Sequence, residues 1–153
     1  MRSDTLLRRR ITLASRAGTL LALLVVLLPG LLGCAQSQAE VKFPLVELHP
    51  LVAQSSGARS QGLQGHDRGD AARGMLFVWP DEGVRTFSIK DVPYALDLVF
   101  MDGDGLVVAV DGLVPDSTVQ AAGTARYVLE VEAGWVRANG VEVGDRAQVL
   151  LGR

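Results

Sequence analysis

Beyond position 40 the apolar residues fall into short runs separated by Gly, Pro, Asp and Ser. Residues 43–52, 74–79, 84–89, 96–101, 106–111, 126–131 and 146–151 are rich in Val, Leu and aromatic side chains. Turn formers bound most of them, so each reads as a strand. Asp102-Gly103-Asp104-Gly105 joins two of these runs with residues that tolerate positive φ in a tight hairpin. Residues 133–138 read as a short helix closed by Asn139-Gly140, and Gly144-Asp145 turns the chain into its last strand. Residues 51–72, the least apolar stretch, read as a loop with one helical turn. The pattern suggests an antiparallel barrel or sandwich, and the expected fold is mainly β: a small antiparallel β-barrel-like single domain with one or two short helices. A closed barrel would also leave no exposed strand edge.

The first part of the chain follows a different pattern. Arg2, Arg8, Arg9, Arg10 and Arg16 precede an uncharged apolar stretch from Ala17 to Leu32, and Gly33 leads into Cys34, the only cysteine. This arrangement resembles a bacterial lipoprotein signal with a Leu-x-Gly-Cys end. The resemblance implies cleavage before Cys34, acylation of its sulfur and anchoring through two or three acyl chains. An uncleaved anchor is disfavoured, because Pro29-Gly30 interrupts a run already short of the ~20 residues a spanning helix needs. An ordinary secretory signal and twin-arginine export through Arg9-Arg10 are weaker alternatives. The expected organisation is a signal peptide at 1–33, a lipidated start and tether at 34–42, and a domain at 43–153. Ala35 stands where an inner-membrane retention signal would carry aspartate, which favours the outer membrane of a Gram-negative cell.

Setting the signal aside changes the charge. From Ala35 onward there are 10 Lys+Arg against 16 Asp+Glu, a formal net charge of −6. Nucleic acid rewards basic surfaces, so it is not an expected partner. With Cys34 acylated no internal disulfide is possible, and stability has to come from packing.

Several phrases in order resemble one bacterial and archaeal family, the domain of unknown function 192. They are Arg73-Gly74-Met75-Leu76-Phe77-Val78-Trp79, the segment from Phe87 through Lys90 to Leu96-Asp97, Tyr127-Val128-Leu129-Glu130, Ala133-Gly134-Trp135, and the turn residues Gly140-Val141 and Gly144-Asp145. The resemblance implies a small, mainly β, often exported domain and no established reaction. The chain departs from the family pattern at Ser88-Ile89, where relatives carry Trp-Met, at Asp91 in place of Asn, at Pro93, which comes early, and at Gly62-Leu63-Gln64, where relatives carry Gly-Leu-Met.

Four side chains are candidates for ligand binding. Arg73 and Lys90 suit an anionic group, Arg through a planar fork and Lys as a point charge. Asp97 alternates with Leu96 and Leu98, and Glu130 with Leu129 and Val131, so each points away from its apolar neighbours. The commoner uses of such residues are ion pairs and caps, which are favoured for Asp97, Arg73 and Lys90. A pair of carboxylates is the minimum for hydrolysis of a glycan, and Asp97 with Glu130 is the pair considered, although the sequence does not fix their separation. His49 and His66 lack a second ligand at zinc spacing, and a calcium loop starting at Asp102 would carry Leu113 at its twelfth position. No metal or other cofactor is expected, and no nucleophile elbow or catalytic triad is present. Trp79 and Trp135 are read as core residues before sugar-stacking ones. The leading expectation is a non-enzymatic envelope lipoprotein on the periplasmic face that binds an envelope component or protein. The alternatives are a weak hydrolase of envelope glycan or peptide using Asp97 and Glu130, and a structural partner exposing an edge strand.

Overall fold

The computed structural model describes residues 38–152 apart from 116 and 121–123. The expected export signal and Cys34 lie outside the described residues. The strands are β1 (Ala39–Lys42), β2 (Glu47–Leu48), β3 (Leu51–Ala53), β4 (Met75–Gly83), β5 (Thr86–Ser88), β6 (Leu96–Met101), β7 (Val107–Leu113), β8 (Thr118–Gln120), β9 (Ala125–Glu132) and β10 (Gln148–Leu151). Three short helices accompany them: α1 (Ser56–Gln61), α2 (Arg68–Arg73) and α3 (Trp135–Asn139).

The centre is a five-stranded sheet in the order β3-β4-β9-β6-β7. Leu98, Val99, Phe100 and Met101 are all fully buried, as are Val128, Leu129 and Val131. Strands buried on both faces read as continuous apolar runs, because no face is left for polar alternation. On one face Leu96, Leu98, Phe100, Val128 and Phe77 pack against Phe87, Ile89, Val92, Leu63 and Ala71. On the other, Val99, Met101, Leu129 and Val131 pack against Val41, Phe43, Leu48 and Val141. The second face is covered by a three-stranded sheet, β10-β1-β2, and by α3, whose Trp135 sits 6.0 Å from Phe43. The first face is covered by α1, α2 and the two-stranded ribbon β5-β8.

This layering corrects the expected antiparallel barrel. Among the described residues the sheets are open, and β3 and β7 remain the two edges of the central sheet. A barrel wall buries one face of each strand, whereas β6 and β9 bury two. The pairing is also not wholly antiparallel: β3 runs parallel to β4, with Leu51 opposite Met75. A parallel pair needs a crossover, and α1 and α2 supply it within the stretch read as loop. Both helices are six residues long and depend on capping, Ser55 Oγ accepting from the Ala58 N–H and Asp67 Oδ1 from the Asp70 N–H.

Other boundaries moved for local reasons. The expected strand at 43–52 is divided by Pro44 and Pro50, which cannot donate to a ladder. Ala39–Lys42, placed in the expected tether, instead pairs with both β2 and β10. The hairpin turn at 102–105 formed as read. The Gly105 N–H donates to the Asp102 carbonyl, and the Asp102 carboxylate accepts from the N–H groups of Asp104 and Leu106. The cap after α3 also formed, with Gly140 left-handed at φ 63°.

Candidate functional site

β9 is the innermost strand to carry a charged side chain into the core. Glu130 stands opposite Met75 on β4 and Leu98 on β6, and only 5% of its surface is exposed. Its Oε2 has no hydrogen-bond partner among the described residues. An unpartnered buried polar atom costs about 1–3 kcal/mol, so native proteins keep few of them and often for a reason. Burial pushes the Glu130 carboxyl up to about 8, so at neutral pH it is a neutral acid that both donates and accepts.

The carboxyl forms the floor of a groove of about 450 Å³. One wall is α1 and the turn after it, with Arg59, Ser60, Gly62 and Gln64. The other is Phe77 and Trp79 on β4, Thr86 to Ser88 on β5, then Ile89, Lys90 and Val92. The groove depends on Gly62: its φ is +52°, and a Cβ there would lie 3.4 Å from the Phe77 ring and 3.9 Å from Glu130 Oε2. A Cβ at those distances would make ordinary van der Waals contact, so it is the positive φ of the turn that calls for glycine here.

Lys90 is exposed at the mouth and pairs with no carboxylate among the described residues. Asp91 beside it is held at φ +56°, a region that Asp tolerates better than most residues. Arg59 is fixed differently. Its guanidinium donates to the carbonyls of Gln54 and Val78, tying α1 to β4, and lies 5.3 Å from the centre of the Trp79 ring. Arg85 lies 4.6 Å from the same ring, and Phe77 stacks on it at 6.1 Å. Trp79 is therefore a packed, half-buried wall, already in contact with two cations and a phenyl ring, and not an open stacking platform. Trp135 packs on the opposite side of the sheet.

The four predicted residues do not converge. Lys90 and Glu130 share the groove. Arg73 ends α2, exposed and 3.9 Å from the Asp70 carboxylate, and borders a second cavity of about 420 Å³ with His49 and His66. Asp97 points to the other face of the sheet, where Oδ2 accepts from the N–H groups of Gly134 and Val136 at 2.9 and 3.0 Å. It caps α3, whose N-cap residue Gly134 has no side chain to do so. Asp97→Ala should therefore cost about 1–2 kcal/mol, read as a lower denaturant midpoint, with Asp97→Asn recovering most of it. Equal stability of Asp97→Ala and wild type would exclude the cap.

This geometry separates the two carboxylates required for hydrolysis. In the β6-β9 ladder Asp97 opposes Val131 and Leu98 opposes Glu130, so the acids sit one register step apart and project to opposite faces. The groove that Glu130 lines among the described residues does not include Asp97. Arg59, Ser60 and Gln64, which line the groove, were not among the expected site residues. Their only signal was the polar, glycine-rich stretch after Ser55.

The fold and groove define a class: a small layered β domain with one buried acid under an open cleft. The chain belongs to the DUF192 family (Uncharacterized ACR), whose sequence profile matches residues 40–149. No curated protein matches the chain. Among solved structures it is similar to a Sinorhizobium meliloti protein provisionally described as a transcription regulator, with 28% identity and a TM-score of 0.65 over 74% of this chain and 92% of that one. It is also similar to a protein of unknown function from Novosphingobium aromaticivorans, with 23% identity and a TM-score of 0.64 over 72% of this chain and 83% of that one. The second likeness bears on the fold alone.

Proposed function

We propose that this protein is a lipid-anchored envelope protein whose domain is a non-catalytic binding module, with the Glu130 groove as its ligand site. One observation carries the binding reading: a buried carboxyl without a partner lies at the floor of an open cleft. A polar atom kept in that condition is most simply explained by a ligand that completes it. Binding is favoured over hydrolysis because the expected acid pair, Asp97 and Glu130, is split across the sheet. The regulator description of the S. meliloti relative is not carried over to this chain, since a net charge of −6 after the signal opposes contact with phosphate backbones. The anchor rests on Cys34 at the end of the apolar stretch, and the periplasmic face of the outer membrane is the proposed location, with Ala35 after the cysteine.

Two substitutions test the two halves separately. Cys34→Ser should abolish labelling by a fatty-acid analogue and move the protein out of the membrane fraction; retained labelling would overturn the anchor. Ser60→Trp places an indole at the mouth of the groove from an exposed helical position. It should reduce co-sedimentation of the full-length protein with isolated envelope fragments while leaving the thermal transition unchanged. Co-sedimentation equal to wild type would exclude the groove as the binding site.

A further inference from the structure

The groove is graded in chemistry from floor to mouth. Around the carboxyl, Phe77, Phe87 and Leu96 are buried and apolar. At the mouth, Ser60, Ser88 and Lys90 are exposed. An occupant that satisfies all three levels needs a neutral group that hydrogen-bonds at depth, an apolar body, and an anionic end outward. A cation fits poorly, because Glu130 at the floor is a neutral acid and the other ionisable side chains lining the groove are the two bases Arg59 and Lys90. A sugar ring fits poorly too, because Trp79 already packs against Arg59, Arg85 and Phe77.

An amide is a good complement of a carboxylic acid: its carbonyl accepts from the acid O–H or its N–H donates to the acid carbonyl, one bond at a time because a trans amide points the two groups in opposite directions. Lys90, without a carboxylate partner among the described residues, supplies the charge for a carboxylate. We propose that the groove binds an acylated α-amino acid unit, as found at the carboxy-terminal end of a peptide, with its amide on Glu130, its apolar side chain among Phe77, Phe87 and Leu96, and its carboxylate at Lys90. A cavity of about 450 Å³ is in the range for such a unit. This assignment rests on the groove being the ligand site proposed above.

The test uses full-length protein in nanodiscs and three probes measured by calorimetric titration. N-acetyl-leucine carries all three features, N-acetyl-leucine amide lacks the carboxylate, and 4-methylpentanoate lacks the amide. N-acetyl-leucine should bind tightest, each deletion weakening binding roughly 10-fold or more. Lys90→Ala should erase the difference between N-acetyl-leucine and its amide. Glu130→Leu should erase the difference between N-acetyl-leucine and 4-methylpentanoate, whereas Glu130→Gln, which keeps a donor and an acceptor, should retain it. Acetyl-glycyl-glycyl-leucine separates the two sources of this chemistry: equal or tighter binding assigns a peptide terminus, and exclusion assigns a free acyl amino acid.

The assignment is overturned if the three probes bind equally, if none binds at millimolar concentration, or if Lys90→Ala weakens all three alike. Lys90 is at the surface, so that variant remains informative even where a core substitution unfolds the domain. Envelope binding that depends on the groove, together with no probe binding, would leave the functional reading intact and remove this one.

Discussion

Gly105→Ala is expected to be the most damaging single-methyl change in the domain. A Cβ at this position would lie 2.1 Å from the Ala147 carbonyl oxygen, and the backbone is held at φ +78°. The obstacle is main chain and cannot rotate aside. The contact has a structural purpose: the hairpin turn after β6 is where the C-terminal segment docks. The Ala147 N–H donates to the Gly105 carbonyl at 2.8 Å, the Val107 N–H to Asp145 at 2.8 Å, and the Gly144 N–H to Val107 at 2.9 Å. Arg146 reaches back to the Asp104 carbonyl at 2.9 Å. Through this junction β10, and with it β1 and β2, is held against the central sheet.

Alanine at φ > 0 costs about 1–2 kcal/mol, and separating the two strands by an ångström or more removes hydrogen bonds worth about 1 kcal/mol each. A loss of about 4 kcal/mol follows, a large share of the 5–15 kcal/mol that holds such a domain. Thermal unfolding should fall by roughly 15 °C or more. Gly112→Ala is the control, because a Cβ there meets nothing within 4 Å. Its Tm should stay close to wild type. Equal Tm values for the two variants would mean that the turn does not touch residue 147 in solution.

The same junction shows what the sequence could and could not carry. The Asp-Gly-Asp-Gly turn was legible because only a few residue types accept its dihedrals. Its partner at residue 147 was not, since nothing in a turn names what will lie over it. The runs of β6 and β9 were legible as strands, but their lack of alternation is the mark of a sheet covered on both faces instead of a barrel wall. β8 is only three residues long, and its pairing with β5 has no counterpart in local pattern.

For the site, period two correctly predicted that Glu130 and Asp97 each turn away from their apolar neighbours in sequence. It left open which face each takes in the assembled sheet. That depends on register parity between β6 and β9, a tertiary property. The direction of the chain's apolar sides was also misleading, because Asp97 and Glu130 both point into covered layers. One found backbone N–H groups to accept from and became a cap; the other found none and became the groove floor. Arg59 was invisible because a guanidinium on a six-residue helix has no signature until β4 supplies the carbonyl and the ring beside it.

Glu130 gives the second large expectation, a pH dependence with a definite sign. In the unfolded chain its carboxyl titrates near 4.5; in the folded protein burial pushes it up to about 8. Between these values the folded state holds a proton that the unfolded state has released. Stability therefore falls as pH rises, by about 1.4 kcal/mol per unit at most. The contribution is fully present below about pH 4.5, is lost progressively as pH rises through the folded-state value, and is constant above it. Over the whole window the loss is about 5 kcal/mol as an order of magnitude. Glu130→Gln is neutral in both states and has no such slope. Other groups titrate in the same range, so the useful quantity is the difference in unfolding free energy between wild type and Glu130→Gln, measured from pH 4 to 9.5 by denaturant titration. The glutamine variant should gain steadily on the wild type between about pH 5 and 8 and then hold its advantage. Tyr94, whose hydroxyl donates to the Asp67 carbonyl at 3.3 Å and whose titration burial pushes up, ionises above this window and leaves the difference unaffected. A flat difference would mean that the carboxyl is hydrated or paired in solution, and the groove would then lose the one unsatisfied group that marks it as a site.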